Sequence, residues 1–181
     1  MPGPVTGPPS SALAVLDACG VGRATYPGGS LRDHLVGTFH TLGRWGAVEH
    51  VAVAGLMHSV YGTFSPESVP VPIHDRSSLR EVIGPDAEEL VWLYSRMDLT
   101  FLPDALAGGS PLLAAEDWQS LHASPEQILS LAWIAAANVV EQWVRLGPPP
   151  RGAQVFLGEL ALAAAGPVPW AAREWGRGAP G

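Results

Sequence analysis

Apolar positions recur along this chain at helical spacing, and the polar residues between them fall where helices start and stop. Ser10 and Ser11 precede a short apolar run that Gly20 and Gly22 end. Ser30 opens LRDHLVGTFHTLGRW, with Asp33 at the capping-box position and Gly46 as the stop. Residues 47–61, AVEHVAVAGLMHSVY, are apolar almost all round, which predicts a central buried helix followed by Gly62. The stretch from Thr63 to His74 carries three prolines and reads as a loop. RSSLREVIG and PDAEELVWLYSRMD predict two helices separated at Gly84 and Pro85, and Gly108–Ser110 marks another loop. Residues 112–122 fit either a helix or irregular structure.

SPEQILSLAWIAAANVVEQWVRLG is the clearest helix, with Ser124 as N-cap, Pro125 at its first position, Gln127 completing the box and Gly147 ending it. PPPRG leads to a last helix near 153–165, and PVPWAAREWGRGAPG reads as an extended tail. Strand signals are nearly missing and no internal repeat is present. The expected architecture is all-α: an N-terminal tail and short helix over 1–25, one helical domain over 26–165, and a C-terminal tail over 166–181.

Composition narrows the function classes. Hydrophobic residues are 47% and charged residues 15%, so the chain has enough apolar surface to fold. The net charge of −7, with no basic run, argues against nucleic acid and anionic membranes as partners. No apolar stretch reaches the roughly 18 residues that span a bilayer, and MPGPVTGPPSS has no basic region of the secretory kind. A cytoplasmic protein is expected. The chain contains no lysine, which removes Schiff-base chemistry, a phosphate-loop lysine and a lysine base. Its single cysteine, Cys19, excludes an internal disulfide and any multi-cysteine metal site, and reads as a buried, inert thiol.

Two histidines stand out by their placement. His34 lies within about 80° of Leu31, Thr38, Leu42 and Trp45 around its helix, so it borders the core face. His58 sits over Ala47, Val51, Ala54 and Gly55, a strip of small residues near the end of the next helix. His40 falls about 120° away from His34 and reads as solvated. Either His34 and His58 are core histidines, each donating to a carbonyl, or they share a ligand role, because neutral imidazole is the commonest metal ligand. A metal also needs a carboxylate. Asp98 ends an apolar helix against an unfavourable dipole, so it is either that carboxylate or an exposed residue opening the next turn.

At these residues the sequence resembles a family. DHLVGTFHTLGRWGAVEHVAVAGLMHSVYG resembles the core of the HD-domain superfamily, all-α metalloproteins with one His on a helix, a His-Asp pair before a Gly turn, and a distant Asp. HSVYGT and REVIGPDAEELVWLY are similar to an HD-like family in which His-Ser replaces His-Asp. The resemblance covers roughly 26–145 and implies an HD-like helical bundle with His34, His58 and Asp98 as metal ligands. Ser59 stands where the bridging aspartate would be, and a neutral hydroxyl cannot offset a second dication, so a two-metal site is disfavoured. Two imidazoles and one carboxylate make up the facial triad of non-haem iron oxygenases. Some HD-fold enzymes are such oxygenases.

The resulting expectation is one iron(II) per chain, with dioxygen as co-substrate, oxidising a small cyclic or aromatic metabolite of the natural-product type. The alternatives are a single-metal phosphohydrolase of a nucleotide or phosphomonoester, and a degenerate HD module that binds a ligand without catalysis. Tyr61 and His74 are the candidate catalytic side chains beside the metal. Ser59, Arg76, Asn138 and Glu141 are the candidate substrate contacts. For Arg76, Arg80 and Arg96 the plain alternative is solvated surface charge; for Tyr61 it is core packing, and for His74 an exposed loop position. Asn138 and Glu141, three apart on one helix face, form either a structural network or a prop for the site. Trp45, Trp92, Trp133 and Trp143 are expected in the core. Trp170 and Trp175 suit a pocket cover or a homodimer contact.

Overall fold

The computed structural model describes residues 6–22, 25–26, 28–62, 75–164 and 168. These form an all-α helical bundle of eight helices with two small hairpins. The helices are α1 (Ser10–Ala18), α2 (Leu31–Arg44), α3 (Glu49–Met57), α4 (Arg76–Ile83), α5 (Pro85–Arg96), α6 (Leu102–Leu106), α7 (Pro125–Leu146) and α8 (Arg151–Ala163). Strands β1 (Thr25–Tyr26) and β2 (Gly29–Ser30) pair antiparallel ahead of α2; β3 (Leu112–Leu113) and β4 (Ser120–Leu121) pair ahead of α7. Among the described residues no helix is long and apolar enough to cross a membrane.

Local chemistry accounts for the helix starts. Ser30 Oγ accepts from Asp33 N at 3.1 Å while the Asp33 carboxylate takes Ser30 N, and Ser124 and Gln127 repeat the device with bonds of 3.2 and 2.8 Å. Each box satisfies N–H groups that the first helical turn leaves without partners. Pro85 and Pro125 enter at the first turn, where no N–H is needed.

α3 sits in the middle, buried from Val51 through Met57, and packs against α2, α5 and α7. The approach to α2 is close at Gly55, where an added methyl would run into the Leu42 side chain. The helix is shorter than the run 47–61 predicts. His58 is its C-cap, and the chain continues in tight turns, with Val60 N on Met57 O and Gly62 N on Ser59 O, both at 3.0 Å. His58 itself supplies the reason. Its Nδ1–H donates to Gly55 O at 2.7 Å, taking the carbonyl that the Ser59 amide would use in a continuing helix.

Three further expectations are revised. The stretch 112–122 is a hairpin, with Leu112 opposite Leu121, whose turn carries Trp118 in the left-handed region at φ 61°. α8 begins at Arg151, directly after three prolines. Trp45, Trp92 and Trp133 are half-buried against the core and not inside it, because indoles of this size fit the margin between helices better than the Ala-rich centre. Trp170 and Trp175 lie outside the described residues, while Cys19 is buried as expected.

Candidate functional site

α2 and α3 bring His34 and His58 together in the interior, 1% and 3% exposed, with ring centroids 5.5 Å apart and planes nearly perpendicular. Each ring is held through Nδ1. His58 donates to Gly55 O. His34 Nδ1 meets the Glu141 carboxylate, whose other oxygen takes Arg145 Nε at 2.9 Å. With a guanidinium on that second oxygen, Glu141 is the acceptor and the ring proton sits on Nδ1. Nε2 of His34 is thereby left buried, and it has no partner among the described residues. A carboxylate behind one imidazole nitrogen that frees the other is how proteins commonly aim a histidine at a ligand.

The contact between α2 and α7 is built to admit this carboxylate. A methyl group at Gly37 would lie 2.6 Å from Glu141 Oε1, so only glycine leaves room. Arg145 lies across the β1–β2 turn, where Gly28 has φ 77° and a side chain would meet the arginine at 2.9 Å. On their outer side Glu141 and Arg145 line an open cavity of about 720 Å³, so this ion pair is the wall between solvent and the imidazoles.

Uncharged groups complete a ring around the pair. Tyr26 stacks on His34, with centroids 4.7 Å apart and planes at 18°. Its hydroxyl accepts from Gln142 Nε2 at 2.5 Å, and Gln142 also donates to Asn138 Oδ1 at 3.3 Å. Asn138 Nδ2 donates to Tyr94 OH at 3.2 Å, and the Tyr94 ring meets the edge of His58 at 5.3 Å. Tyr26, Asn138 and Gln142 are half-buried, so the ring reaches solvent on their side.

The electrostatics follow from burial. Removal from water, with the His34 ring beside it adding to the effect, pushes His58 down to about 3, so its imidazole is neutral at physiological pH. Burial raises Tyr94 to about 12, and burial with the Glu141 charge raises Tyr26. These phenols are neutral hydrogen-bonding walls.

Several residues that the sequence nominates are elsewhere. Asp98 is not a partner of the two histidines. It is the N-cap of a 3-10 turn over Leu99–Phe101, accepting from Thr100 N at 2.9 Å and Thr100 Oγ1 at 2.7 Å. The dipole argument for a metal at Asp98 fails because α5 ends at Arg96 and the chain has already turned extended at Met97. Tyr61 donates to Glu88 Oε1 at 2.6 Å, and Arg76 and Arg80 grip the same fully buried carboxylate at 2.6–2.8 Å. All three are engaged by this one carboxylate. Arg96 pairs with Glu116 at 2.7 Å. Ser59 is buried next to His58, and His74 lies outside the described residues.

Glu141 does reach the pair, although it stands behind His34 instead of facing a substrate, while Asn138 bonds Tyr94 and Gln142 and touches neither imidazole directly. Tyr26, Tyr94, Gln142 and Arg145 were not nominated. The spacing of Glu141 and Arg145, four apart on one helix, was the available signal; Tyr26, in a two-residue strand, offered none.

A facial triad can be tested against this geometry. Both imidazoles have Nδ1 engaged, and Nε2 of His34, buried and without a partner among the described residues, suits a ligand atom. The carboxylate does not fit, since no three His, Cys, Asp or Glu side chains among the described residues are grouped to hold an ion. Comparison with known proteins adds one finding. No curated protein and no solved structure matches the chain. Residues 15–99, which include His34, His58 and Ser59 and make up just under half of its length, match a family described as a domain of unknown function, DUF6817.

Proposed function

We propose that this protein is an HD-like metalloenzyme in which His34 and His58 bind one divalent ion, and that its reaction is iron(II)- and dioxygen-dependent oxidation of a small cyclic or aromatic metabolite. The observation that carries the metal-binding reading is the buried Nε2 of His34, without a partner among the described residues, beside a second imidazole that is also locked through Nδ1. Glu141 holds the proton on Nδ1 of His34, and Gly55 O does the same for His58. The family resemblance at DHLVGTFH and HSVYGT supports the same pair.

Oxidation is preferred to hydrolysis on two counts. Ser59 offers no charge for a second ion, and two-metal clamps are the usual device for phosphoryl groups. The arginines that would hold a phosphate instead are engaged: Arg76 and Arg80 on Glu88 and Glu89, Arg145 on Glu141. A second reading, a module that binds its ligand without catalysis, is favoured by one observation, the use of Asp98 as a cap. Cytoplasmic location, a small-molecule substrate and a homodimeric state belong to the same proposal.

The test is elemental analysis of protein purified without oxygen and reconstituted with iron(II). One iron per chain, lost in His34→Ala and in His58→Ala, is the expected result, and oxygen uptake with candidate metabolites follows from it. Two metals per chain would restore the hydrolase. No bound metal in the parent chain would leave the binding module.

A further inference from the structure

We infer that the outer face of α8 is an interface at which a second copy of this chain docks, the two helices lying antiparallel about a two-fold axis at Val155. This names the surface of the homodimer proposed above and does not depend on the metal-binding reading.

α8 turns two different faces to its surroundings. Leu157 and Leu160 are buried, Phe156 and Ala161 pack against the core, and the helix sits on α6 and α7. At about 100° per residue the opposite side carries Arg151, Val155, Gly158, Glu159 and Leu162, all exposed. Val155 is 51% exposed and Leu162 88%, and they stand two turns apart on one line. A face left to solvent is ordinarily polar or charged along such a line. Neither Arg151 nor Glu159 forms an ion pair among the described residues, whereas Arg32, Arg76, Arg80, Arg96 and Arg145 all hold carboxylates.

The glycines of this helix point the same way. Gly37 in α2 and Gly55 in α3 are required by the Glu141 and Leu42 side chains, which a methyl would strike. A methyl at Gly152 or Gly158 would meet nothing within 4 Å, so the chain's own packing asks for neither, and glycine weakens a helix. A second helix approaching this face accounts for both, because the side chains at a contact set how close two helix axes come.

Symmetry and charge select the occupant. A two-fold at Val155 sets each residue before it opposite the partner's residue equally far after it. Arg151, four before, meets Glu159 of the partner subunit, four after, and the reciprocal pair forms at the other end. Gly152 meets Gly158 of the partner subunit in the same way, the two Val155 side chains touch at the centre, and Leu162 reaches the prolines that precede the partner's helix. A parallel copy would set arginine against arginine and glutamate against glutamate, so it is disfavoured. α8 has 13 residues and is about 20 Å long, less than a permanent dimer uses, so the association is weak and depends on concentration.

The experiment is sedimentation equilibrium of the full chain over a wide concentration range, with thermal melts of each variant at the dilute end. The parent chain is expected to dimerise reversibly with a dissociation constant on the order of 10–100 µM. Glu159→Arg sets arginine against arginine at both ends and is expected to raise that constant about tenfold or more, and adding Arg151→Glu to it restores the parent value. Gly158→Leu blocks the approach and weakens the dimer similarly, while the melt of the monomer is not lowered, because leucine is the better helix former.

A chain that stays monomeric at every concentration overturns this inference and the homodimer together. A dimer indifferent to Glu159→Arg and Gly158→Leu overturns this inference alone, since the copies then meet elsewhere. So does a double variant that fails to restore association. A Gly158→Leu monomer that melts earlier than the parent overturns it too, because another part of the same chain would then occupy this face.

Discussion

Two carboxylates are buried among the described residues, and they end differently. Glu88 on α5 is fully buried, and both of its oxygens are filled: Arg76, Arg80 and the Tyr61 hydroxyl all converge on it. Glu141 on α7 is 8% exposed and holds one guanidinium and one imidazole, and that imidazole carries an open nitrogen into the core. The first network is closed. It ties the turn after His58 to α4 and α5, and Arg76 additionally lies over the Trp92 ring at 4.5 Å. The second ends on a ring nitrogen without a partner among the described residues, and the proposed metal binding rests on that difference.

Acid should strain both regions, in different windows, with the largest effect at His58. In the metal-free chain its folded value of about 3 lies below the ordinary 6.5, so between these values the unfolded chain holds a proton that the folded chain lacks. Stability from this group is complete above pH 6.5 and falls as pH drops, by on the order of 3 kcal/mol at pH 4. Glu88 is also depressed, because the hydrogen bonds and charges of Arg76, Arg80 and Tyr61 together outweigh its burial; its contribution is lost only as pH falls below the ordinary carboxylate range. Denaturant melts from pH 7 to 4 should therefore show an early loss that His58→Gln removes.

Glu88→Ala comes next. It leaves two arginines and a phenol without their shared acceptor, and since both arginine heads are partly exposed, a loss of about 2–3 kcal/mol is expected, at the low end for a broken buried pair. Thermal melts would show it, with metal binding retained in the fraction that stays folded. Gly37→Ala should cost about 2 kcal/mol by overpacking against Glu141 and, unlike Glu88→Ala, should shift the His34 ring resonances in nitrogen-15 spectra.

The smallest change in stability is expected for Glu141→Gln, about 1 kcal/mol, because an amide oxygen still accepts from His34. Its effect on the site is larger: metal affinity measured by dialysis should drop about 10- to 100-fold. A Glu141→Gln chain that binds metal like the parent would show that the open nitrogen of His34 needs no carboxylate behind it, and the contrast with Glu88 would lose its functional meaning.

How much of this was legible in the residues depends on the range of the interaction. The capping boxes at Ser30–Asp33 and Ser124–Gln127 act within one turn, so they appear in the structure where the sequence places them. The inward histidines were legible as well, because the period of an α-helix fixes which side chains share a face. The hairpins were not, being only two residues per strand and held by neighbours instead of by alternation. Asp98 misled because its apolar helix was read two residues too long, and those two residues turn a dipole problem into an ordinary cap.

The sequence by itself therefore determined the all-α class, most helix boundaries and the inward placement of His34 and His58, since periodicity and capping are properties of a few consecutive residues. Only the tertiary structure decided which groups complete the site. Glu141 lies 107 positions from His34, and Gln142 lies 116 from Tyr26; whether such residues meet is set by how α7 docks on α2, through a glycine that leaves space for one carboxylate.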